Sequence, residues 1–477
     1  MSLLPATSER LLLIDGQWTA GASRIPVFDK YHLEACCTLH VPSREQAAAA
    51  VAAADRAFRA ATATPYERGL MLDRAALGFE RRSDDLIVAL RQEAGFTHAD
   101  AIGEIKRCVE TFRLSAQEAR SFSGEMVPLA GAPNQGRRIG FTMRVPLGVV
   151  CAITPFNAPL NTVGHKVAPA LAAGNAVILK PSAHTPTSAN IMAEVLLEAG
   201  LAPGMMSVLH GGVDVVHWLL DEAAVRFYAF TGSTQAGREI QSRAGLRRTQ
   251  MELGSIAFTI LAEDANLELA LPKVINAGYR KAGQVCTSIQ TLLVHASIVS
   301  EVSERLAAMV QALPYGDPAD AATVVGPVIS EAAAQRIEQW VEAAVAGGAR
   351  RLAGGARRGA VVPPTLLVDV DAAMQVSCSE IFGPVMSIVA FATLEEACER
   401  VNATPFGLAT GIFTNRLDDA LHVARTLQVG GVHINETSSS RADVMPYGGS
   451  KDSGFGREGP HHAIREMSEE RLVTILA

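Results

Sequence analysis

The segment GQVCTS (283 to 288) places Cys286 among small, turn-compatible residues, with Gly283 permitting close backbone approach. A free thiol titrates near ~8.5, so a cysteine of this kind is a partial nucleophile at neutral pH and needs a favourable site. Taken alone, it reads as a structural thiol. Its company changes that reading. MELGS (251 to 255) offers the carboxylate of Glu252 just before a glycine turn, and TPFNAPL (154 to 160) offers Asn157 in a proline-bracketed loop at the end of a strand. Strand ends are where open α/β sheets collect ligands. A glycine loop, FTGSTQAGRE (230 to 239), starts like a phosphate-binding P-loop, but Arg238 and Glu239 stand where lysine and a hydroxyl residue are required. Nucleoside triphosphate hydrolysis is therefore not expected, while a dinucleotide can still lie at the turn with Ser233 at the helix N-terminus.

The elements that must position these residues are those of an alanine-rich globular chain. Over 477 residues the formal charge is −7, and 48% hydrophobic with 19% charged content is far from a disordered balance. This length suggests about three structural units. The acidic balance argues against nucleic acid as a partner. Neither a signal core nor ~18 consecutive apolar residues occur, so no membrane association is expected. Seven scattered cysteines without a C-x-x-C pair indicate reduced thiols, no metal cluster and a cytoplasmic location.

Residues 44 to 62 predict an amphipathic helix with Val51 and Phe58 on one side, and similar helices run to about 120. From 147 the pattern becomes βαβ: strands at 149–154, 176–180, 207–209 and 225–230, with helices between them, one stopping at Gly174-Asn175 and one opening at Thr185-Pro186. A second α/β unit follows, helical over 268–312 and 331–346, with strands at 290–295, 386–391 and 411–414. GGARR recurs at 347–351 and 354–358 and reads as a solvated loop. Residues 124–146 predict a hairpin around Gly131-Ala132-Pro133-Asn134. The tail 472–476 is an orphan strand expected to pair with the hairpin of another subunit.

With these motifs in order, the sequence resembles the aldehyde dehydrogenase superfamily. TPFNAPL, LKPS (179 to 182), FTGSTQAG, MELGS, GQVCTS, EIFGPV (380 to 385), NATPFGLATGIFT (402 to 414) and PYGGSKDSGFGREG (446 to 459) are each similar to a family motif. The resemblance implies an α/β fold: a doubly wound Rossmann-like coenzyme domain (1–122 plus 147–250, with 431–459 returning to it), a second α/β catalytic domain (251–430) and a small β oligomerisation arm (123–146 plus 460–477). It implies a homodimer or homotetramer that oxidises an aldehyde to a carboxylate with NAD or NADP. Cys286 would be the nucleophile, Asn157 the oxyanion donor and Glu252 the base that hydrolyses the thioester. Thr154, Pro155, Phe156, Lys180, Ser182, Gly232, Ser233, Leu253, Glu380 and Phe382 would hold the coenzyme. Lys180 would reach the adenosine ribose and Glu380 the nicotinamide ribose.

Two departures refine the expectation. Ala183 stands where NAD-preferring members commonly carry an acid, which removes repulsion toward a 2′-phosphate, so NADP is expected to be tolerated or preferred. Ile256 after MELGS, together with GQVC and the run from Arg441 to Gly449, looks like the branch acting on small hydroxy-, phospho- or phosphono-aldehydes. Arg441, and secondly Arg107, would then meet a substrate anion; the alternative is a structural salt bridge to an acid such as Asp443. Three rival functions stand beside this one. A CoA-acylating enzyme would need no base such as Glu252, and a silent binding homologue would not need the three residues together. A thiol hydrolase would need a histidine beside the cysteine, and nothing marks His165 or His210 for that role.

Overall fold

The computed structural model describes residues 9 to 476; residues 1 to 8 and 477 of the expected outer units lie outside the described residues. Two large sheets organise the chain. The first has eight strands in the order Gly454–Phe455, Arg248–Glu252, Val225–Thr231, Val149–Ile153, Ala176–Lys180, Met206–Val208, Leu12–Ile14 and Gln17–Thr19. Its strands from Arg248–Glu252 to Met206–Val208 are parallel. Every residue of Val149–Ile153 and Ala176–Lys180 is buried, as expected of strands covered on both faces by crossover helices. The crossover Asn161–Ala173 is buried all round, which its small residues allow. Gly164, for example, leaves room for Cys108 and Phe112 of the neighbouring helix His98–Ser121. Strand order reverses between Val149–Ile153 and Val225–Thr231, so the loops after Ile153 and Thr231 open the crevice where ligands of such sheets lie.

The second sheet has seven strands in the order Arg350–Ala353, Thr365–Val368, Val385–Phe391, Ile289–His295, Ala257–Leu261, Ala409–Phe413 and Gly431–Ile434, all parallel but the first. Its core is a separate cluster of buried apolar residues. Only the turn 253–256 separates Glu252, the last residue of a strand in the first sheet, from Ala257, the first residue of a strand in the second. The carboxyl edge of one sheet thus faces the amino edge of the other.

Several expectations change. The helical stretch over 268–312 is two helices, Leu267–Tyr279 and Val299–Gln311, because the β-rich run Ile289–His295 enters the sheet between them. Gly431–Ile434 stays with the second sheet, and the return to the first comes at Gly454–Phe455. Helix Pro460–Glu466 packs on Asn161–Ala173, with Ile464 and Met467 in the core of the first unit, so the arm starts at Ser468 and not at 460. The tail is no orphan. Ser468–Leu476 pairs antiparallel with Arg138–Pro146 of its own chain over nine register pairs, and that strand also carries the short hairpin strand Met126–Val127. Local proximity satisfies the tail, and its outer edge stays open. The paired arginines near 350 meet acids: Arg350 with Asp369, Arg351 with Glu342, and Arg357 with Glu331 and Glu338. Among the described residues no helix is long and apolar enough to cross a membrane.

Asn175 fixes the two roots of the arm, Leu147 and Met467, to the first sheet. Its Oδ1 accepts from the backbone N–H of Leu147 and Gly148 at 2.8 and 3.0 Å, and its Nδ2 donates to the carbonyls of Met467 and Ala170 at 2.8 and 3.2 Å. Asn175→Ala strands buried backbone groups and is expected to cost roughly 2–4 kcal/mol, read as a lower midpoint in denaturant unfolding.

Candidate active site

The thiol is set by a strained turn. After the helix Leu267–Tyr279, Lys281 and Ala282 both adopt φ 52° and Gly283 φ 68°, three left-handed residues in succession. Such backbone costs on the order of 1–3 kcal/mol at each non-glycine position and persists only where neighbours enforce it. Here they do. Lys281 Nζ donates to Glu104 at 2.7 Å and to the Asn157 carbonyl at 3.3 Å, and it lies 4.3 Å from the centre of the Phe96 ring. A Cβ on Gly283 would collide with the Gly383 carbonyl oxygen, so only glycine lets the thiol turn meet the loop before Val385.

Cys286 Sγ lies 2.8 Å from Tyr447 Oη. Burial and the nearby Glu252 push the thiol up to about 11, while the Tyr447 hydrogen bond and Arg441 pull the other way. Asn157 Nδ2 donates to the Gln284 carbonyl at 2.8 Å, which holds the amide beside the thiol turn. Glu252 is buried; Thr231 Oγ1 donates to its Oε2 at 3.2 Å, and its Oε1 has no partner among the described residues. Burial and the neighbouring carboxylate of Glu458 raise it to about 8. Burial would raise Glu458 as well, but Lys166 at 2.9 Å and Arg441 at 2.7 Å outweigh it and hold that carboxyl well below the ordinary range. Arg441 also stacks on Tyr447, 3.7 Å from the ring centre.

One cavity of about 370 Å³ gathers Cys286, Glu252, Asn157, Pro155, Phe156, Gly232, Ser233, Leu253, Glu380, Phe382, Arg107 and Arg441 in its wall. The loops are joined by an edge-to-face pair of Phe156 and Phe382, 5.8 Å apart. Glu380 accepts from Ser255 N–H at 3.0 Å, and burial raises it to about 7. Thr154, Lys180 and Ser182 are not in that wall. They cluster beside it at the ends of adjacent strands, where Thr154 N–H donates to the Lys180 carbonyl and Ser182 Oγ accepts from His184 N–H. Burial lowers the Lys180 ammonium to about 8, and no acid pairs with it among the described residues. A buried cation at a strand end, Gly232, and Ser233 capping the helix Thr234–Ala244, whose first turn carries no acid, fit a phosphate-bearing dinucleotide.

Arg107 grips Asp443 with two bonds, at 2.7 and 3.2 Å, and Arg441 is taken by Glu458, so both expected anion ligands are already paired. The structure adds Tyr447, Glu458, Lys166 and Arg280, which the sequence motifs do not single out. All four lie in or beside recognisable motifs and helices, but nothing local marks a tyrosine or a glutamate as facing a cysteine far away in the chain. The thiol meets a tyrosine and not a histidine; His165 contacts Asp443 instead.

A family model described as "Aldehyde dehydrogenase family" matches residues 18–473. The chain belongs to the aldehyde dehydrogenase family. It is 40% identical over 476 residues, 100% of each chain, to a 3-sulfolactaldehyde dehydrogenase of Priestia megaterium. Its fold matches aldehyde dehydrogenase 21 of Physcomitrella patens in complex with the reaction product succinate, with TM-score 0.96, 34% identity and 98% of each chain covered. It also matches NADP-dependent glyceraldehyde-3-phosphate dehydrogenase of Bacillus halodurans complexed with NADP, with TM-score 0.96 and 31% identity over 98% of this chain and 100% of that one. As an aldehyde dehydrogenase, the protein is an oxidoreductase that converts an aldehyde to a carboxylate with NAD or NADP.

The tyrosine contact is directly testable. Removing the hydroxyl in Tyr447→Phe takes a donor from the thiolate, so the apparent thiol pKa should rise and alkylation by iodoacetamide at fixed pH should slow about fivefold, the worth of one ordinary hydrogen bond. An unchanged pH profile of alkylation would remove Tyr447 from this role.

Proposed function

We propose that the protein oxidises a small anionic aldehyde through covalent catalysis at Cys286, with release of the acyl group to water by Glu252. The observation that carries this reading is the meeting, in one cavity, of a thiol, a carboxyl raised to about 8 and Arg280, a guanidinium with no carboxylate ion pair among the described residues. Arg280 donates to Ser439 Oγ at 2.9 Å and stands beside Arg107 and Arg441. The similar proteins named above act on, or hold as product, a sulfonate, a carboxylate and a phosphate, three anions that a guanidinium can bind.

The Cys286 thiolate attacks the aldehyde carbon. The Asn157 amide and the Cys286 backbone N–H support the oxyanion, where losing one donor typically costs ~10²-fold. The coenzyme, when bound, accepts the hydride. A thioester on Cys286 remains, and Glu252 takes a proton from the water that hydrolyses it. A carboxyl near 8 is suited to this proton transfer, because at neutral pH its ionised fraction is a strong base, and that fraction grows as pH rises. Lys180, Ser182, Thr154, Pro155, Phe156, Gly232, Ser233, Leu253, Glu380 and Phe382 are assigned to the coenzyme. Ala183 packs against the cluster of Val27, Cys37 and Leu39 and presents no carboxylate, so NADP is tolerated beside NAD.

The units of the chain take the roles implied by their edges: the first sheet binds coenzyme, the second carries the thiol, and the arm joins subunits. Met126, Ile139, Leu472, Ile475 and Leu476 are exposed on that arm, and the outer edge of its strand Ser468–Leu476 has no partner among the described residues, which favours a homodimer or homotetramer. Free thiols throughout suit a cytoplasmic setting.

Glu252→Gln should give a burst of reduced nicotinamide with little steady turnover in rapid-mixing absorbance; unchanged turnover refutes the assignment. In the unaltered enzyme, kcat limited by deacylation should fall as pH drops below about 8, because Glu252 then takes up its proton. Arg280→Leu should raise KM for anionic aldehydes by roughly tenfold or more, as loss of a charge-assisted bond does, and leave neutral aldehydes little changed. Equal effects on both classes would end the anionic-substrate reading. A kcat/KM favouring NAD over NADP by about a hundredfold, some 2.7 kcal/mol, would overturn the coenzyme assignment.

A further inference from the structure

A second cluster of chemically capable side chains lies away from the aldehyde site. Strands Ser23–Phe28 and Ala35–Val41 pair antiparallel, with Val27 opposite Cys37 and Phe28 opposite Ala35. Cys36 is the extra residue of a bulge. In a regular strand, consecutive side chains point to opposite faces, so adjacent cysteines could not share a ligand. The bulge removes that alternation. Cys36 Sγ, Cys37 Sγ and a carboxylate oxygen of Glu93 all lie within 4.8 Å of one another, and Cys37 Sγ donates to Glu93 Oε1 at 3.4 Å.

We propose that Cys36, Cys37 and Glu93 form a binding site for a thiophilic divalent cation of the zinc class. Two sulfurs and one carboxylate oxygen, with water in a fourth position, make a donor set that zinc accepts. Ligand atoms ~2.0–2.3 Å from a tetrahedral ion sit roughly 3.5 Å from each other, so the observed cluster closes with small side-chain rotations. Charge supports the assignment. Two thiolates and a carboxylate exceed the ion by one negative charge, and Lys30 faces all three ligands with its Nζ donating to the Phe28 carbonyl at 2.7 Å. Binding releases two thiol protons to water and changes no oxidation state. Cys36 is half-buried and gives the ion its path, while Cys37 and Glu93 are buried.

The site also reaches the coenzyme side of the molecule. Glu93 accepts from the backbone N–H of Thr187 at 2.9 Å and from its hydroxyl, and Thr187 lies in the first turn of helix Pro186–Glu198, just after the Lys180 loop.

The test uses full-length protein with Cys286→Ser and Cys378→Ser, which removes the other thiols that are not buried. Titration with Cd²⁺, followed by its sulfur-to-metal charge-transfer absorption and by calorimetry, should show one equivalent bound, displaceable by Zn²⁺. Adding Cys36→Ser should abolish the band. Glu93→Gln should weaken binding by roughly tenfold or more while the band persists. Because Cys36 is half-buried, its serine variant remains informative if the Glu93 variant fails to fold. An unchanged band and stoichiometry in the Cys36 variant, or no Cd²⁺ bound by the parent, would overturn the proposal.

Discussion

A single buried ion cluster of three charged residues, Lys166, Glu458 and Arg441, governs the candidate site. Lys166 and Glu458 have no exposed surface, and Arg441 is nearly enclosed. Charges so placed survive only when paired and hydrogen-bonded. Glu458 satisfies two cations at once, and its negative charge is what, after burial, most raises the carboxyl of Glu252. Arg441 hands the influence on, lying flat on the ring whose hydroxyl touches the thiol. The carboxyl is therefore set by a carboxylate that lies behind the cavity wall, and the thiol by Glu252, Tyr447 and Arg441, which that carboxylate neighbours or holds.

That cluster works because two sheets meet edge to edge. Helix Asn161–Ala173 contributes Lys166 from behind the first sheet, and the strand that ends at Glu252 delivers the carboxyl to the seam. Across the seam, the turn before Ile289 brings the thiol and the loop before Val385 brings Glu380. The left-handed run Lys281 to Gly283 lets that turn approach so closely, and Glu104 and Phe96, from the helical side of the first unit, hold it there.

Much of this is legible in the residue order. Uninterrupted β-branched runs such as AVILK, and the stop at Gly174-Asn175, betray the parallel sheet because burial on both faces and a positive φ each leave a compositional mark. Cys286, Glu252 and Asn157 stand out as members of separate motifs. What stays hidden depends on distance along the chain. The partner choice of Arg441 between Asp443 and Glu458 is a packing outcome, as is the tyrosine at the sulfur. The tail finds its partner within the same chain because helix Pro460–Glu466 carries it back to the hairpin. The strand ending at Glu252 shows in the sequence only as a glycine turn, since RTQME has no strong apolar signature.

Tyr447 and Glu458 are synthesised well after Glu252 and Cys286, yet they condition that carboxyl and that thiol. A chain ending before Tyr447 would hold Glu252 and Cys286 but lack the carboxylate that raises the one, the hydroxyl that touches the other and the strand Gly454–Phe455 that flanks Glu252 in the sheet.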